Sequence, residues 1–291
     1  MILGRGRDVR AMGRGPEWMR SGAGAPVELH TDRPHAARVY DFLLGGKTNY
    51  AADREAAQRT LLALPNSALI ARQNRAFMHR AAHYLAEEAG VRQFLDIGTG
   101  IPTSPNLHEV VQAVDPRSRI VYADNDPIVL THSRALHTSH PDGRTAYLHG
   151  DLCRPEDILA HPELSRTLDL GRPVALTLVA VLHWLPKECD PYRIVARLLD
   201  ALPSGSFLAL THVTDDFERR ALEEIAEDFQ RTGSTVSARS KAEVAEFFAG
   251  LELVEPGVEV VQRWRPDDGD IEAGSLSPTD IPLYGGVARK L

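Results

Sequence analysis

From Val91 onward the sequence predicts an α/β fold, because short apolar runs alternate with amphipathic helical segments. That alternation builds a parallel sheet covered by helices on both faces. Two further observations support it. "FLDIGTGIPTSPN" (Phe94–Asn106) is an apolar run that enters a Gly-x-Gly turn and then a helical segment. "PVALTLVAVLHWL" (Pro173–Leu185) is the most apolar stretch of the chain and reads as a central buried strand.

The elements follow in order. Residues 1–33 are rich in Gly and Arg and lack an apolar segment of signal-peptide length. They read as a disordered leader or as the product of a start codon placed too early, with a basic partner-binding arm as the alternative. Residues 34–90 form a helical region. "HAARVYDFLLGG" places apolar residues at helical spacing and stops at Gly45-Gly46, "DREAAQRTLLAL" stops at Pro65, and "RQNRAFMHRAAHYLAEEAG" stops at Gly90. Residues 91–291 hold the sheet. Its strands are "VRQFLDIG", "RIVYADND", "TAYLHGDL", the Pro173–Leu185 run and "SFLALTHV", followed by the closing strands "LELVEPGVEVVQRW" and "PLYGGVARK". Helices fall between them: "SPNLHEVVQAV", with Ser104 as cap and Pro105 at the first position, then "PIVLTHSRALH", "YRIVARLLDAL", "FERRALEEIAEDFQRTG" and "KAEVAEFFAG".

Composition sets outer limits. The 291 residues can build a core without staples, and a net charge of −7 argues against broad nucleic-acid or anionic-membrane binding. No run of eighteen apolar residues occurs, so no membrane span is expected. Cys153 and Cys189 stand far apart in sequence, giving neither a metal pattern nor a disulfide framework, which suits a reducing cytoplasm.

The turn after the first strand carries the chemistry. Gly98 and Gly100 allow a tight turn and a close backbone approach to a ligand, with Thr99 between them. A dinucleotide site needs amide donors and a third glycine. Here Thr103 stands in the glycine's place, Pro102 has no N–H, and the Asp96 carboxylate would repel a pyrophosphate. An acid there suits a ligand with positive groups and no phosphate, such as S-adenosylmethionine. The second strand ends in Asp124 and Asn125, and a carboxylate at that point can take both hydroxyls of a ribose. A solvated acidic turn is the structural alternative, and Asp126 is read as a helix cap. The third strand ends in "HGDL", where Asp151 and Leu152 are placed to meet an adenine, or else Asp151 caps the next helix.

Together these stations resemble the class I S-adenosylmethionine-dependent methyltransferases. "RVYDFLLGGKTNYAADREAA", "RQNRAFMHRAA", "FLDIGTGIPTSPN", "IVYADNDPIVL" and "LVAVLHWL" are similar, more closely, to a family of S-adenosyl methyltransferases abundant in actinobacteria and long assigned no function. The similarity runs from about Pro34 to the C-terminus. It implies a Rossmann-like, seven-stranded, mostly parallel sheet whose last strand is antiparallel, an N-terminal helical lid over 34–90, and S-adenosylmethionine as cofactor. Pro102 departs from the general class but belongs to the closer family's pattern.

In that fold the fourth strand ends beside the transferred methyl. His183 is therefore the candidate general base, with packing against the cofactor as its alternative, and His212 is a weaker candidate. Val179 and Ala180 line the cofactor, and Trp184 lines the acceptor pocket or covers the core. The lid supplies Tyr40, Lys47, Asn49 and Tyr50 as acceptor-site candidates; a helix C-cap with a solvated lysine explains the same residues. Arg75 can pair with the methionine carboxylate.

The leading expectation is a cytoplasmic methyltransferase acting on a small-molecule acceptor, with no nucleic acid, membrane or metal involved. Its oligomeric state stays open, a homodimer being one option. A catalytically silent, cofactor-binding regulatory protein is the alternative, and an NAD-dependent oxidoreductase is a third reading.

Overall fold

The computed structural model describes residues 20–21, 25–26, 29–136, 139–186, 188–267 and 275–291. Most of the expected leader lies outside the described residues. Within it, Arg20–Ser21 pairs antiparallel with Ala25–Pro26. The chain divides into Met1–His30 and Thr31–Leu291, and the second unit carries everything that follows.

Its sheet is built from β1 (Gln93–Ile97), β2 (Arg119–Asp124), β3 (Arg144–His149), β4 (Ala175–Leu178), β5 (Phe207–Val213), β6 (Leu251–Leu253), β7 (Glu259–Val260) and β8 (Leu283–Lys290). The spatial order is β3-β2-β1-β4-β5-β8-β6, with β7 pairing β8 off the main path. β1 to β5 run parallel, and β8 lies antiparallel to β5, β6 and β7. The central β1 is buried at all five positions, Gln93 and Asp96 included, because helices cover both faces of the sheet.

Strand alternation sorts two cores onto the two faces. Leu95, Ile97, Val121, Leu176 and Leu208 face one layer, which includes α8 (Pro191–Asp200) and α10 (Lys241–Glu246). Phe94, Ile120, Tyr122, Ala175 and Ala209 face the other, covered by α3 (Ser67–Glu87) and α4 (Leu107–Val114). On α3 the small residues Ala81, Ala82 and Ala86 pack into that core beside Phe77 and Leu85. A third cluster joins α1 (Ala36–Leu43) and α2 (Ala51–Ala63) to α9 (Arg219–Arg231) through Val39, Ala56, Ala57, Ile225 and Phe229.

Some boundaries differ from the sequence reading. The Pro173–Leu185 run is strand only to Leu178; it then turns and forms a short 3-10 helix at Leu182–Trp184. α4 starts at Leu107, not at Pro105. Asn106 caps it in a capping box with Glu109, so the cap lies two residues past Ser104. Leu251–Trp264 is not one strand: Glu255-Pro256-Gly257 interrupts it, and Val261–Arg263 is 3-10. Short α6 (Pro155–Leu159) and α7 (Pro162–Thr167) precede β4, and α5 (Pro127–Leu136) follows β2.

Glycine inside a strand weakens it unless something needs the space. At Gly285 in β8 a Cβ would stand 2.9 Å from the Phe77 ring and 3.0 Å from Val261 Cγ1. Gly285→Ala is therefore expected to lower stability by about 1–3 kcal/mol through overpacking. A urea denaturation midpoint equal to that of the parent would show that the Phe77 contact sets no limit.

Candidate active site

Three parallel strands end side by side, and each ends at or near an acid: Asp96 in β1, Asp124 closing β2, and Asp151 two residues past β3. Alternation puts Asp96 on the α3 face, in register with Thr177 of β4, whose hydroxyl donates to Asp96 Oδ1 at 2.5 Å. Burial pushes the Asp96 carboxyl up to about 6, although hydrogen bonds from Thr177 and Thr99 pull the other way. Nearby Asp124 adds to the rise and Arg75 opposes it.

Past Ile97 the backbone turns through Gly98 at φ 77°, in the left-handed region that favours glycine. A Cβ there would lie 2.3 Å from Val181 Cγ2, so the turn rests directly on the loop after β4. Gly100 takes φ 69° with nothing within 4 Å of a Cβ position. Its N–H donates to Asp124 Oδ2 at 2.9 Å, and the Asp126 N–H donates to Oδ1 at 2.9 Å. A carboxylate offers about four acceptor directions, so roughly half remain for a ligand.

Asp126 caps α5 through the Ile128 N–H, as read from the sequence, and its second oxygen accepts from Arg38 Nε at 2.8 Å. Both side chains are buried, so this pair fixes α1 to the end of β2. His35 Nδ1 lies 3.4 Å from the same oxygen and also accepts from the Ala37 N–H at the start of α1. Asp53 of α2 accepts the His35 and Tyr50 N–H groups, which joins the first two helices.

A second relay reaches the loop after β4. The Ala180 N–H donates to Thr211 Oγ1 at 2.8 Å, and that hydroxyl donates to Asn74 Oδ1 at 2.7 Å. Asn74 Nδ2 donates to the Tyr40 hydroxyl, which donates to the Ala71 carbonyl, both at 2.9 Å. Ala180 sits at φ 53°, which costs a residue with a Cβ roughly 1–2 kcal/mol; its amide bond to Thr211 holds it there.

These elements enclose a cleft of about 380 Å³. Its walls include Asp96, Gly98, Thr99, Gly100, Asp124, Asn125, Asp151, Leu152, Val179, Ala180, Arg75, Tyr40 and Trp184, all anticipated from the sequence. Arg75 also donates to the carbonyls of Thr103 and Pro105, at 2.5 and 2.7 Å, and so holds the loop that contains Pro102. A larger groove, about 560 Å³, lies near the opposite ends of the strands around Gly90, Pro173 and Gly205, away from the three acids.

Five expected residues are not in the cleft wall. His183 is buried with its ring 5.4 Å from that of His212, and burial holds both imidazoles below their usual range, His212 at about 3. Both are therefore neutral, and Arg239 Nη1 meets His212 Nε2 at 2.6 Å. His183, the candidate general base, and His212, the weaker candidate, thus pack against each other outside the cleft wall. Asn49 donates to Asp41 Oδ2 and to the Gly46 carbonyl, closing the turn after α1. Lys47 stands exposed on that turn, and Tyr50 precedes α2 on the surface.

The wall also holds residues that sequence reasoning passed over: His35, Ala36, Ala37, Asn74 and Met78 from the helical region, and Gly233, Ser234 and Thr235 after α9. Gly233 reads as a helix stop, and the Ser/Thr-rich segment after it has no periodicity to mark it. The two cysteines need correction as well. Cys153 and Cys189 are bonded, with Cα atoms 5.7 Å apart, because the turn after β3 meets the segment that leads into α8.

The sequence profile of the S-adenosyl methyltransferase family matches residues 22–291. The chain belongs to that family. Its fold superposes on a DUF574 family protein of Streptomyces avermitilis, with TM-score 0.87 and 50% identity, covering 91% of this chain and 100% of that one. It also superposes on a candidate methyltransferase of Thermobifida fusca, with TM-score 0.82 and 41% identity, covering 90% and 97%. Magnesium protoporphyrin IX methyltransferase of Synechocystis, solved with S-adenosylhomocysteine, shares the fold alone, at TM-score 0.50 and 12% identity over 87% and 93%. A search of curated proteins finds no significant match. This methyltransferase uses S-adenosylmethionine, and its fold is that of class I. Among the described residues no helix is long and apolar enough to cross a membrane.

The position of Asp96 generates a pH prediction. Its carboxylate must be ionised to attract a cationic ligand, and protonation sets in as pH falls through about 6. S-adenosylmethionine affinity should fall between pH 7 and pH 5, by up to about tenfold per unit. Calorimetric titration of Asp96→Asn should give weaker binding and a flat profile; an equal slope in both proteins would remove Asp96 from the account.

Proposed function

We propose that this methyltransferase transfers the methyl group to a small, uncharged acceptor, and that the cleft holds cofactor and acceptor on opposite walls. The observation that carries the reading is the division of the cleft lining. The residues at the ends of β1 to β3 include three acids, whereas Trp184, Leu185, Pro186, Gly233, Ser234 and Thr235 carry no charge.

The acidic wall fits S-adenosylmethionine. Asp96, buried and raised in pKa by that burial, would face the ammonium end, with Arg75 beside it for the carboxylate. Asp124, with its remaining acceptor directions, would take the ribose hydroxyls, Asn125 following it. Asp151 and Leu152 would meet the adenine. Gly98, Thr99 and Gly100 would pass close beneath the ligand, since nothing stands where a Gly100 Cβ would project. Val179 and Ala180, set by the relay through Thr211 and Asn74, would form the floor between the two walls.

When bound, the cofactor supplies a methyl group already activated on a sulfonium. The task left to the protein is alignment and exclusion of water, and alignment of this kind supplies roughly 7–11 kcal/mol of barrier lowering. Trp184 is suited to it. Its ring is fixed edge-on against Phe229 at 4.9 Å and still lines the cleft, so an acceptor can lie on a rigid apolar surface. The hydroxyls of Ser234 and Thr235 would give that acceptor its orientation. Tyr40 lines the cleft, but its hydroxyl is engaged with Asn74 and Ala71 and serves the roof.

The test is release of S-adenosylhomocysteine across a panel of neutral aromatic and aliphatic acceptors. Turnover confined to charged or macromolecular acceptors would contradict the reading. Asp124→Ala should weaken S-adenosylmethionine binding by roughly 1–3 kcal/mol, because it removes charged hydrogen bonds. Unchanged affinity in a folded variant would withdraw the ribose assignment.

A further inference from the structure

The reaction makes no use of the cysteine pair, yet the pair sits where two cleft-forming loops meet. Cys153 follows Leu152 in the turn between β3 and α6 and is itself part of the cleft wall. Cys189 immediately precedes Asp190, the N-cap of α8, and its N–H donates to the carbonyl of Pro186, another wall residue. The bond therefore joins the Asp151–Arg154 turn to the segment that follows Trp184, across 36 residues of chain.

Cys153 is also coupled to the acid before it. Its N–H donates to Asp151 Oδ1 at 3.0 Å, so the residue that carries the sulfur also orients that carboxylate. The turn's other polar ties are local or long: the Arg154 N–H to the Asp151 carbonyl at 2.8 Å, and an exposed Arg154–Asp151 pair at 3.7 Å. The sulfur bridge is thus the covalent link that sets this turn against the far wall. Both cysteines are only half-buried residues, and accessible disulfides are the ones that exchange with small thiols.

We propose that Cys153 and Cys189 are a reversible thiol–disulfide pair that controls the adenine end of the cleft, the bonded form binding the cofactor more tightly. This rests on the assignment of Asp151 and Leu152 to the cofactor. The exchange partner is a low-molecular-weight disulfide. One cysteine thiolate attacks a sulfur of that disulfide and expels a thiol, leaving a mixed disulfide. The second cysteine thiolate then attacks the mixed disulfide at the protein sulfur and expels the second thiol. Two protons and two electrons pass from the protein to the reagent, which leaves as two thiols, and an excess of small thiol reverses the sequence. In the reduced form the turn is released from the far wall, and the cost of ordering it falls on ligand binding.

The experiment equilibrates the full-length chain with glutathione disulfide or with excess dithiothreitol. It records the intact mass and then titrates S-adenosylhomocysteine calorimetrically. The oxidised protein should be lighter by two hydrogens and bind roughly three- to tenfold more tightly than the reduced protein. The Cys153→Ser/Cys189→Ser double variant, which can form neither the bond nor a mixed disulfide, should bind like the reduced protein under both conditions. Failure of the bond to form, or its formation with no change in affinity, would overturn the proposed control while leaving the cofactor site intact. Absence of binding in both redox states, with the bond formed, would overturn the cofactor assignment itself and the control with it.

Discussion

The hydrogen bond from the Gly100 amide to the Asp124 carboxylate organises the ligand end of this sheet. It holds the turn after β1 against the end of β2 at 2.9 Å, and it can form only because Gly98 and Gly100 adopt φ values of 77° and 69°. The same geometry brings the turn against Val181 and leaves the space above Gly100 clear. The carboxylate that closes the turn is buried, and so is Asp96 beside it. Burial raises both pKa values; Asp124 adds to the rise at Asp96, and Asp126 to the rise at Asp124. A cleft built in this way holds negative charge at a disadvantage that a cationic ligand relieves and a pyrophosphate would worsen. Charge, more than shape, separates this site from a dinucleotide site on a similar sheet.

Polar side chains help attach the helical region to that end of the sheet. Arg38 pairs with Asp126 just past β2, and Tyr40 reaches β5 through Asn74 and Thr211. Apolar packing of α1 and α2 on α9 supplies the rest. Removing one member of the buried Arg38–Asp126 pair would leave an uncompensated charge, an arrangement that typically costs about 3–5 kcal/mol. The roof over the cleft is thus tied to residues beside the strand ends that carry the cleft's acids.

The legible parts of the sequence were those governed by local rules. Asp96, Gly98, Gly100 and Asp124 were readable because strand-end turns impose their own residue types, and the alternation of strand and helix gave the sheet. The illegible parts depend on which face of an element meets its neighbours. His183 follows an apolar run that reads as one strand to Leu185, but the strand stops at Leu178 and the 3-10 turn carries the imidazole to His212. The polar residues of "GGKTNY" look like a binding loop, yet Asp41 collects the Thr48 amide and the Asn49 side chain, and a Cβ at Gly46 would meet its carboxylate at 2.0 Å. Ser234 and Thr235 carry no periodic signal, and two cysteines 36 residues apart give no sign that the turn after β3 and the segment before α8 bring them together.

The most direct measurement is a crystal structure of the chain grown with S-adenosylhomocysteine. The account predicts ribose hydroxyls on the Asp124 carboxylate, the homocysteine ammonium at Asp96, and the adenine beside Leu152. Electron density for the ligand elsewhere, or the same cleft filled by a pyrophosphate-containing nucleotide in a competition soak, would contradict it.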